Sequence, residues 1–365
     1  MARRRRSRTA LILLLAGGLL VAAEGAVRLR QMLRYGTASG SLHVLVDDPA
    51  SGLKIPRSGI VEGGQHRIEI DSHGFRNPEL ELPKPAGRRR VAFLGGSTTF
   101  CAEASDNART WPERVGRGLA EAFPGVDLDF VNAGVGGYSI AQSLVNLEVR
   151  VAPTDPDVIV IYHATNDMSS GTRTLAEAAG LIAAGEQDPS WLAGHSLAWN
   201  LVEKNWRAWR RGGGGGTQGA TLDDDPTPHA EAFRARLTGL VRAAQRQASV
   251  VVLVTFAHKA RRDQDPAAQR AACASSLYYM PYMSIEGLLA GFEAYNAVIR
   301  QVAADTGALL VEGEGRIPGD DEHFADSVHL TDAGCALQAE RVLDVLTRSP
   351  QVARALGAGG TAADG

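Results

Sequence analysis

Val91-Ala92-Phe93-Leu94-Gly95-Gly96-Ser97-Thr98-Thr99 is an apolar run that ends in two glycines and a cluster of hydroxyl residues. A short continuous apolar segment closed by glycine reads as a strand buried on both faces, as in a parallel sheet. The glycines mark a tight turn, and a serine there is exposed at the end of the strand. The pattern returns downstream. Val126–Val131 ends in Asn132-Ala133-Gly134. Asp157–Tyr162 is strongly β-branched and leads into Ala164-Thr165-Asn166-Asp167. Ser249–Phe256 and Leu309–Glu312 are further apolar runs. Trp111–Phe123, Ile140–Val151, Ile285–Ala304 and Asp332–Thr347 have helical character. Strands alternating with helices predict an α/β, doubly wound sandwich on a mostly parallel five-stranded sheet, with ligands at the carboxyl ends of the strands.

Those strand ends carry chemistry. Ser97 lies in the glycine turn, Gly134 in a turn able to present a backbone N–H, and Asn166 on a loop that can aim its amide inward. Near the C-terminus, Asp326-Ser327-Val328-His329 spaces a carboxylate three residues from an imidazole, within reach of Nδ1. The other ring nitrogen can then take a proton from Ser97. A serine hydroxyl is a weak nucleophile until a base removes its proton, the base needs an orienting carboxylate, and a tetrahedral oxyanion needs preorganised donors. Asp320 and His323 repeat the Asp-x-x-His spacing and compete for the same role. Leu330-Thr331-Asp332-Ala333-Gly334, with Thr331 placed to cap the last helix, favours Asp326 and His329. The acidic run from Asp320 reads as a solvated loop rather than a metal site. His163 and His258, near strand ends, read as structural, and Asp167 as a brace for its loop.

The order Ser97, Gly134, Asn166, Asp326, His329 in these contexts resembles the SGNH (GDSL-type) hydrolase family over about residues 90–347. The resemblance implies Ser97 as nucleophile, Ser97, Gly134 and Asn166 as oxyanion-hole members, Asp326 and His329 completing a triad, and ester hydrolysis without metal or organic cofactor. Two positions depart from the family's pattern: the common Gly-Asp-Ser is Gly95-Gly96-Ser97, and the usual glycine of the third motif is Ala164. The favoured substrate is a small acyl ester, such as an O-acetyl group on an envelope glycan. Acyl transfer to a polysaccharide, a lipase, and a catalytically inactive envelope protein stand as alternatives. The α/β-hydrolase elbow G-x-S-x-G and the phosphate loop GxxxxGK[ST] are both absent.

The remaining sequence sets the location. Residues 1–27 open with Arg3, Arg4, Arg5, Arg6 and Arg8, followed by an uncharged run from Thr9 to Ala23. A basic start before an apolar run is an export or membrane-insertion signal, read here as an uncleaved anchor with cleavage as the alternative, and it places the bulk of the chain outside the cytoplasm. Lys plus Arg is 38 and Asp plus Glu 41, a formal charge of −3, which argues against a nucleic-acid binder. Cys101, Cys273 and Cys335 form no CxxC; in an oxidising compartment one disulfide can form, but three small buried side chains is the preferred reading. Residues 28–88 read as an extension with two β-like runs, Ser41–Val46 and His66–Asp71, and residues 89–348 as the hydrolase-type domain. Within the domain, residues 168–230 read as an insertion, Trp-rich and then glycine-rich (Gly212–Gly216). Trp199, Val202, Trp206 and Trp209 share one helical face, expected to pack on the main domain rather than form a membrane-interface helix or a lid. Residues 349–365 read as a disordered tail.

Overall fold

The computed structural model describes residues 17–30, 32–33, 45–63, 66–182, 190–210 and 221–358. Five parallel strands form the central sheet: β5 (Arg89–Gly95), β6 (Leu128–Asn132), β7 (Val158–Tyr162), β8 (Val250–Val254) and β9 (Leu309–Val311), in the order β6-β5-β7-β8-β9. All five residues of β7 and of β8 are buried, which is why both read as unbroken apolar runs. Each such Val, Ile or Leu side chain contributes about 1.5–3 kcal/mol on burial.

The strand order fixes the layers. The chain moves from β5 to β6 in one direction and from β6 through β7 and β8 to β9 in the other. Right-handed crossovers therefore place α3 (Trp111–Ala122) on one face and α4 (Ile140–Asn146), α8 (Thr227–Gln245) and α11 (Ile285–Thr306) on the opposite one. The final long helix, α12 (Asp332–Arg348), packs on α3, and α8 packs on α11. The reversal of direction beside β5 is the crevice where doubly wound sheets bind ligands.

The span read as an insertion is bounded by core helices. Helix α5 (Thr165–Ala178) and α8 occupy its two ends, and α6 (Trp191–His195) and α7 (Leu197–Arg210) lie between. The expected packing of the Trp stripe on the main domain is not seen. Trp199, Val202 and Trp206 are 41%, 57% and 54% exposed. The other side of α7 holds α6 instead: Glu203 accepts from Ser190 N–H at 3.1 Å, and Asn200 Nδ2 donates to Ala193 O at 3.4 Å. The glycine tract and the Trp209 side chain lie outside the described residues, as do residues 1–16 and 359–365. Residues 350–355 correct the expectation of a disordered tail: they form helix α13 (Pro350–Ala355), and Val352 and Leu356 are buried.

The extension carries four strands in two antiparallel hairpins: β1 (Leu45–Asp48) with β2 (Leu53–Pro56), and β3 (Gly59–Gly63) with β4 (His66–Ile70). Ile68 and Ile70 on β4 pack against Phe100. The following segment hydrogen-bonds to the end of β6, with Arg76 N–H donating to Asn132 O and Asn132 N–H to Asn77 Oδ1, both at 3.2 Å. The extension is thus fastened to the carboxyl-terminal edge of the sheet. All three cysteines are free thiols and buried. Among the described residues no helix is long and apolar enough to cross a membrane.

Candidate active site

Gly95 and Gly96 turn the chain from β5 into α2 (Ser97–Phe100), a single helical turn that starts at Ser97. The turn needs glycine for proximity. A Cβ on Gly96 would lie 2.7 Å from Asn166 Nδ2 and 3.0 Å from Tyr138 O. Helix α2 is fixed from below by buried Trp111, whose Nε1–H donates to Thr98 O at 3.0 Å while its ring meets Phe93 and Tyr162 edge-on. It is fixed from the side by the fully buried Arg76, which donates to Phe100 O at 3.0 Å, to Cys101 O and to Asn107 Oδ1 at 3.0 Å. Neither residue was recognised from sequence. Arg76 sits in Gly74-Phe75-Arg76-Asn77-Pro78, a stretch with no motif of its own.

The base arrives from the other end of the chain. His329 Nε2 lies 2.7 Å from Ser97 Oγ, and Nδ1 lies 2.8 Å from Asp326 Oδ2. Asp326 Oδ1 accepts the backbone N–H groups of Val328 and His329, each at 2.9 Å, so the carboxylate closes its own loop and orients the ring. Ser327 binds the loop to its neighbour. Its Oγ accepts from the N–H of Ser275 and Ser276 at 3.1 Å, and its N–H donates to Ser275 Oγ at 3.1 Å. Thr331 caps α12 by accepting from Gly334 N–H, and Asp332 accepts from Ser105 N–H at 2.8 Å and Oγ–H at 2.6 Å. That last pair joins the histidine loop to the segment just after α2.

Electrostatics follow from these contacts. Burial raises the Asp326 carboxyl, but the hydrogen bond and charge of His329, with the two backbone donors, hold it down at about 2. Burial lowers His329, and the Asp326 hydrogen bond and charge, aided by Glu103, outweigh it and raise the imidazole above its ordinary value. The competing pair makes the same local contact, His323 Nδ1 to Asp320 Oδ1 at 2.7 Å, with the carboxylate half exposed.

Asn166 stands in the first turn of α5, beside Gly96. One of its amide protons is used on Tyr138 O at 2.8 Å; the group carries two. Asp167 braces this turn by accepting from Ile140 N–H at 3.1 and 3.3 Å. Burial raises its carboxyl to about 6 against the lowering effect of that donor and of Arg236. His163, buried and lowered to about 3 by loss of water, pairs Nε2 with Ser143 Oγ at 2.8 Å. His258, also lowered by burial to about 3, stacks on Phe292.

Gly134, expected among the oxyanion donors, makes two close contacts. Its N–H donates to Asn132 Oδ1 at 3.1 Å, and a Cβ there would lie 2.3 Å from Phe100 N and 2.7 Å from Thr99 C. The residue lets the second turn press against α2, and its donor is already engaged. Gly137, three residues on, is exposed at φ +83°.

A cavity of about 400 Å³ is lined by Leu309, Val345, Arg348 and Pro350. It sits by the first residue of β9, while Ser97 follows the last residue of the parallel strand β5, so the two occupy opposite ends of the sheet. Among the described residues no group of three or more His, Cys, Asp or Glu is placed to hold a metal ion.

A three-layer α/β sandwich with a serine, histidine and carboxylate in one hydrogen-bonded chain at its switch point defines a serine hydrolase acting on ester bonds. The chain belongs to the GDSL-like lipase/acylhydrolase family, whose model matches residues 93–337. Among solved structures it is similar to an acetylxylan esterase from Geobacillus stearothermophilus (16% identity, TM-score 0.44, covering 72% of this chain and 96% of that one). It is also similar to LAE5, an alpha/beta hydrolase enzyme from the metagenome of Lake Arreo, Spain (15% identity, TM-score 0.44, covering 75% and 97%). No curated protein matches the chain.

Proposed function

We propose that the chain is a serine esterase in which Ser97 attacks the ester carbonyl, His329 is the general base and Asp326 orients it. The observation that carries the reading is the continuous chain from Ser97 Oγ through both nitrogens of His329 to Asp326, at 2.7 and 2.8 Å. As Oγ attacks, His329 Nε2 takes its proton, and the resulting imidazolium faces the ionised Asp326. The Ser97 N–H and the second amide proton of Asn166 are the donors for the oxyanion. Gly134 serves by packing rather than by donating. His329 returns the proton to the leaving alcohol. Water then attacks the acyl-enzyme with His329 again as base, and the carboxylic acid leaves as Ser97 regains its proton.

The favoured substrate is a small acyl ester such as an O-acetyl group on an envelope glycan. The partial exposure of Ser97 and His329 supports an ester carried on a bulky alcohol, since the reacting groups are not sealed inside the fold. The chain is held outside the cytoplasm by its basic and apolar N-terminus, which the Arg cluster and the run from Thr9 to Ala23 support. The test is turnover of p-nitrophenyl acetate and of acetylated glycan by the full chain beside Ser97→Ala. Loss of both activities in the variant, with unchanged circular dichroism, is expected. Equal turnover by the two proteins would overturn the assignment of Ser97. Acetyl transfer to added glycan in place of acetate release would move the reading to a transferase.

A further inference from the structure

The exposed large hydrophobic side chains are not scattered. Among the described residues, all but Ile60 and Tyr279 belong to residues 19–33 or 191–206. The first stretch contains helix α1 (residues 17–30); the second is the α6–α7 pair. The two are joined. Glu24 accepts from Ser196 Oγ–H at 2.8 Å, from Leu197 N–H at 3.2 Å and from Ala198 N–H at 2.9 Å, so its carboxylate sits on the start of α7. Arg28, one turn on, holds the same carboxylate at 2.7 Å.

We propose that α6 and α7, clasped to α1 through Glu24, form an interfacial pad that seats the chain on an anionic phospholipid bilayer. Three observations select a lipid surface. The apolar run from Thr9 to Ala23 continues into α1 and ends one residue before Glu24, so the pad begins where the membrane-seeking segment stops. The outward face of α7 alternates Trp199 and Trp206 with Val202, and α6 adds Trp191 and Leu192. Trp prefers the headgroup boundary of a bilayer, and aliphatic neighbours enter the acyl region. The inner side of the helix is taken up by α6, which Asn200 and Glu203 hold, so the Trp face is the one left outward. Finally, the sequence from Leu197 to Arg211 holds four basic residues against the single acid Glu203, a net positive charge that an anionic bilayer attracts.

The inference takes its occupant, a lipid, from the reading of the chain as held outside the cytoplasm at a membrane. The test keeps the two apart. Full-length chain is mixed with vesicles of three parts phosphatidylcholine to one part phosphatidylglycerol bearing brominated acyl chains, and Trp fluorescence is followed. A triple variant (Trp191→Gln, Trp199→Gln, Trp206→Gln) is compared, with p-nitrophenyl acetate turnover as the check on folding. Quenching that drops at least twofold in the variant, and is weaker with phosphatidylcholine alone, is the expected result. Equal quenching in both proteins overturns the pad, as does sedimentation with vesicles without quenching. Protection of the three Trp by acetylated xylan or by self-association in the absence of lipid also overturns it, in favour of a glycan or a second copy. Release of both proteins from vesicles by alkaline carbonate, with quenching preserved before release, removes the inserted anchor and leaves the pad standing.

Discussion

Asp320–His323 and Asp326–His329 share a spacing, a contact through Nδ1 and nearly the same distance, 2.7 and 2.8 Å. Both carboxylates are lowered, and in both pairs the aspartate also accepts the histidine's own N–H. What separates them is the far side of the ring. His329 Nε2 meets Ser97, which lies 232 residues earlier in sequence, whereas His323 closes a loop behind the exposed acids Asp320, Asp321 and Glu322. Two residues three apart on a turn can always build a dyad. A triad requires that the turn be delivered to a serine, and delivery depends on Ser327, Thr331 and Asp332 fastening the loop to α10 (Ala274–Tyr279), α12 and Ser105.

The sharpest way to break this comparison is to remove each histidine in turn beside Ser97. Ser97→Ala and His329→Ala are each expected to lower kcat for p-nitrophenyl acetate by about 10⁴-fold or more, and the double variant by no more than either single one, because the two act as a unit. Independent, multiplying losses would show that His329 does not serve Ser97. Asp326→Asn keeps the shape of the loop and removes the charge that orients the ring. A loss of about 10³–10⁴-fold in kcat is expected, measured with the same ester.

Much of this is legible in the sequence. Five apolar runs at the correct ends of helices are enough for the doubly wound sheet, because a strand buried on both faces has no other composition. That Ser97, His329 and Asp326 meet, and that Asn166 lies beside Gly96, was foreshadowed because each sits on a local turn. Three things were not. Arg76 acts through a fork onto carbonyls of α2, and a carbonyl has no sequence. The Trp stripe has the same periodicity whether it faces a core or the outside, so only placement could show Trp199 and Trp206 exposed. For Gly134, sequence shows that a side chain is missing but not how closely Phe100 and Thr99 approach the vacancy.

That last distinction yields a paired prediction. Asn166→Ala should reduce kcat by about 10²–10³-fold, the usual cost of one oxyanion donor, with the melting temperature little changed. Gly134→Ala should instead act on stability. Its Cβ would overlap Phe100 N, and overpacking costs about 1–3 kcal/mol, read as a lower urea midpoint. A stable Gly134→Ala with kcat as low as Asn166→Ala would return Gly134 to the oxyanion site.

The pH profile sharpens the contrast between the two histidines at smaller amplitude. His329 must be neutral to accept a proton, and Asp326 raises its folded value above 6.5. kcat/KM is therefore expected to rise with pH through an inflection above 6.5. The same shift makes the protonated pair stabilising: that contribution is fully present below 6.5 and is lost as pH rises through the folded value. The Asp326 contribution is present above 3.8 and is lost as pH falls through about 2. In Asp326→Asn the inflection should move downward, because burial remains while the raising charge is gone. In Asp320→Asn it should not move.

The smallest expected effect is the one that tests the whole comparison. His323→Ala removes an imidazole that makes the same aspartate contact as His329, yet kcat and KM should each stay within about twofold, since its partner Asp320 is half exposed and such pairs contribute little. The backbone keeps the loop closed without the ring: Thr331 N–H donates to His323 O at 3.0 Å, and Phe324 pairs with Leu330. A large loss of kcat with an unshifted pH inflection would mean that the acidic loop carries the histidine loop into place. A large loss with a shifted inflection would mean that His323 itself exchanges protons with the substrate, and spacing alone would then have been the better guide.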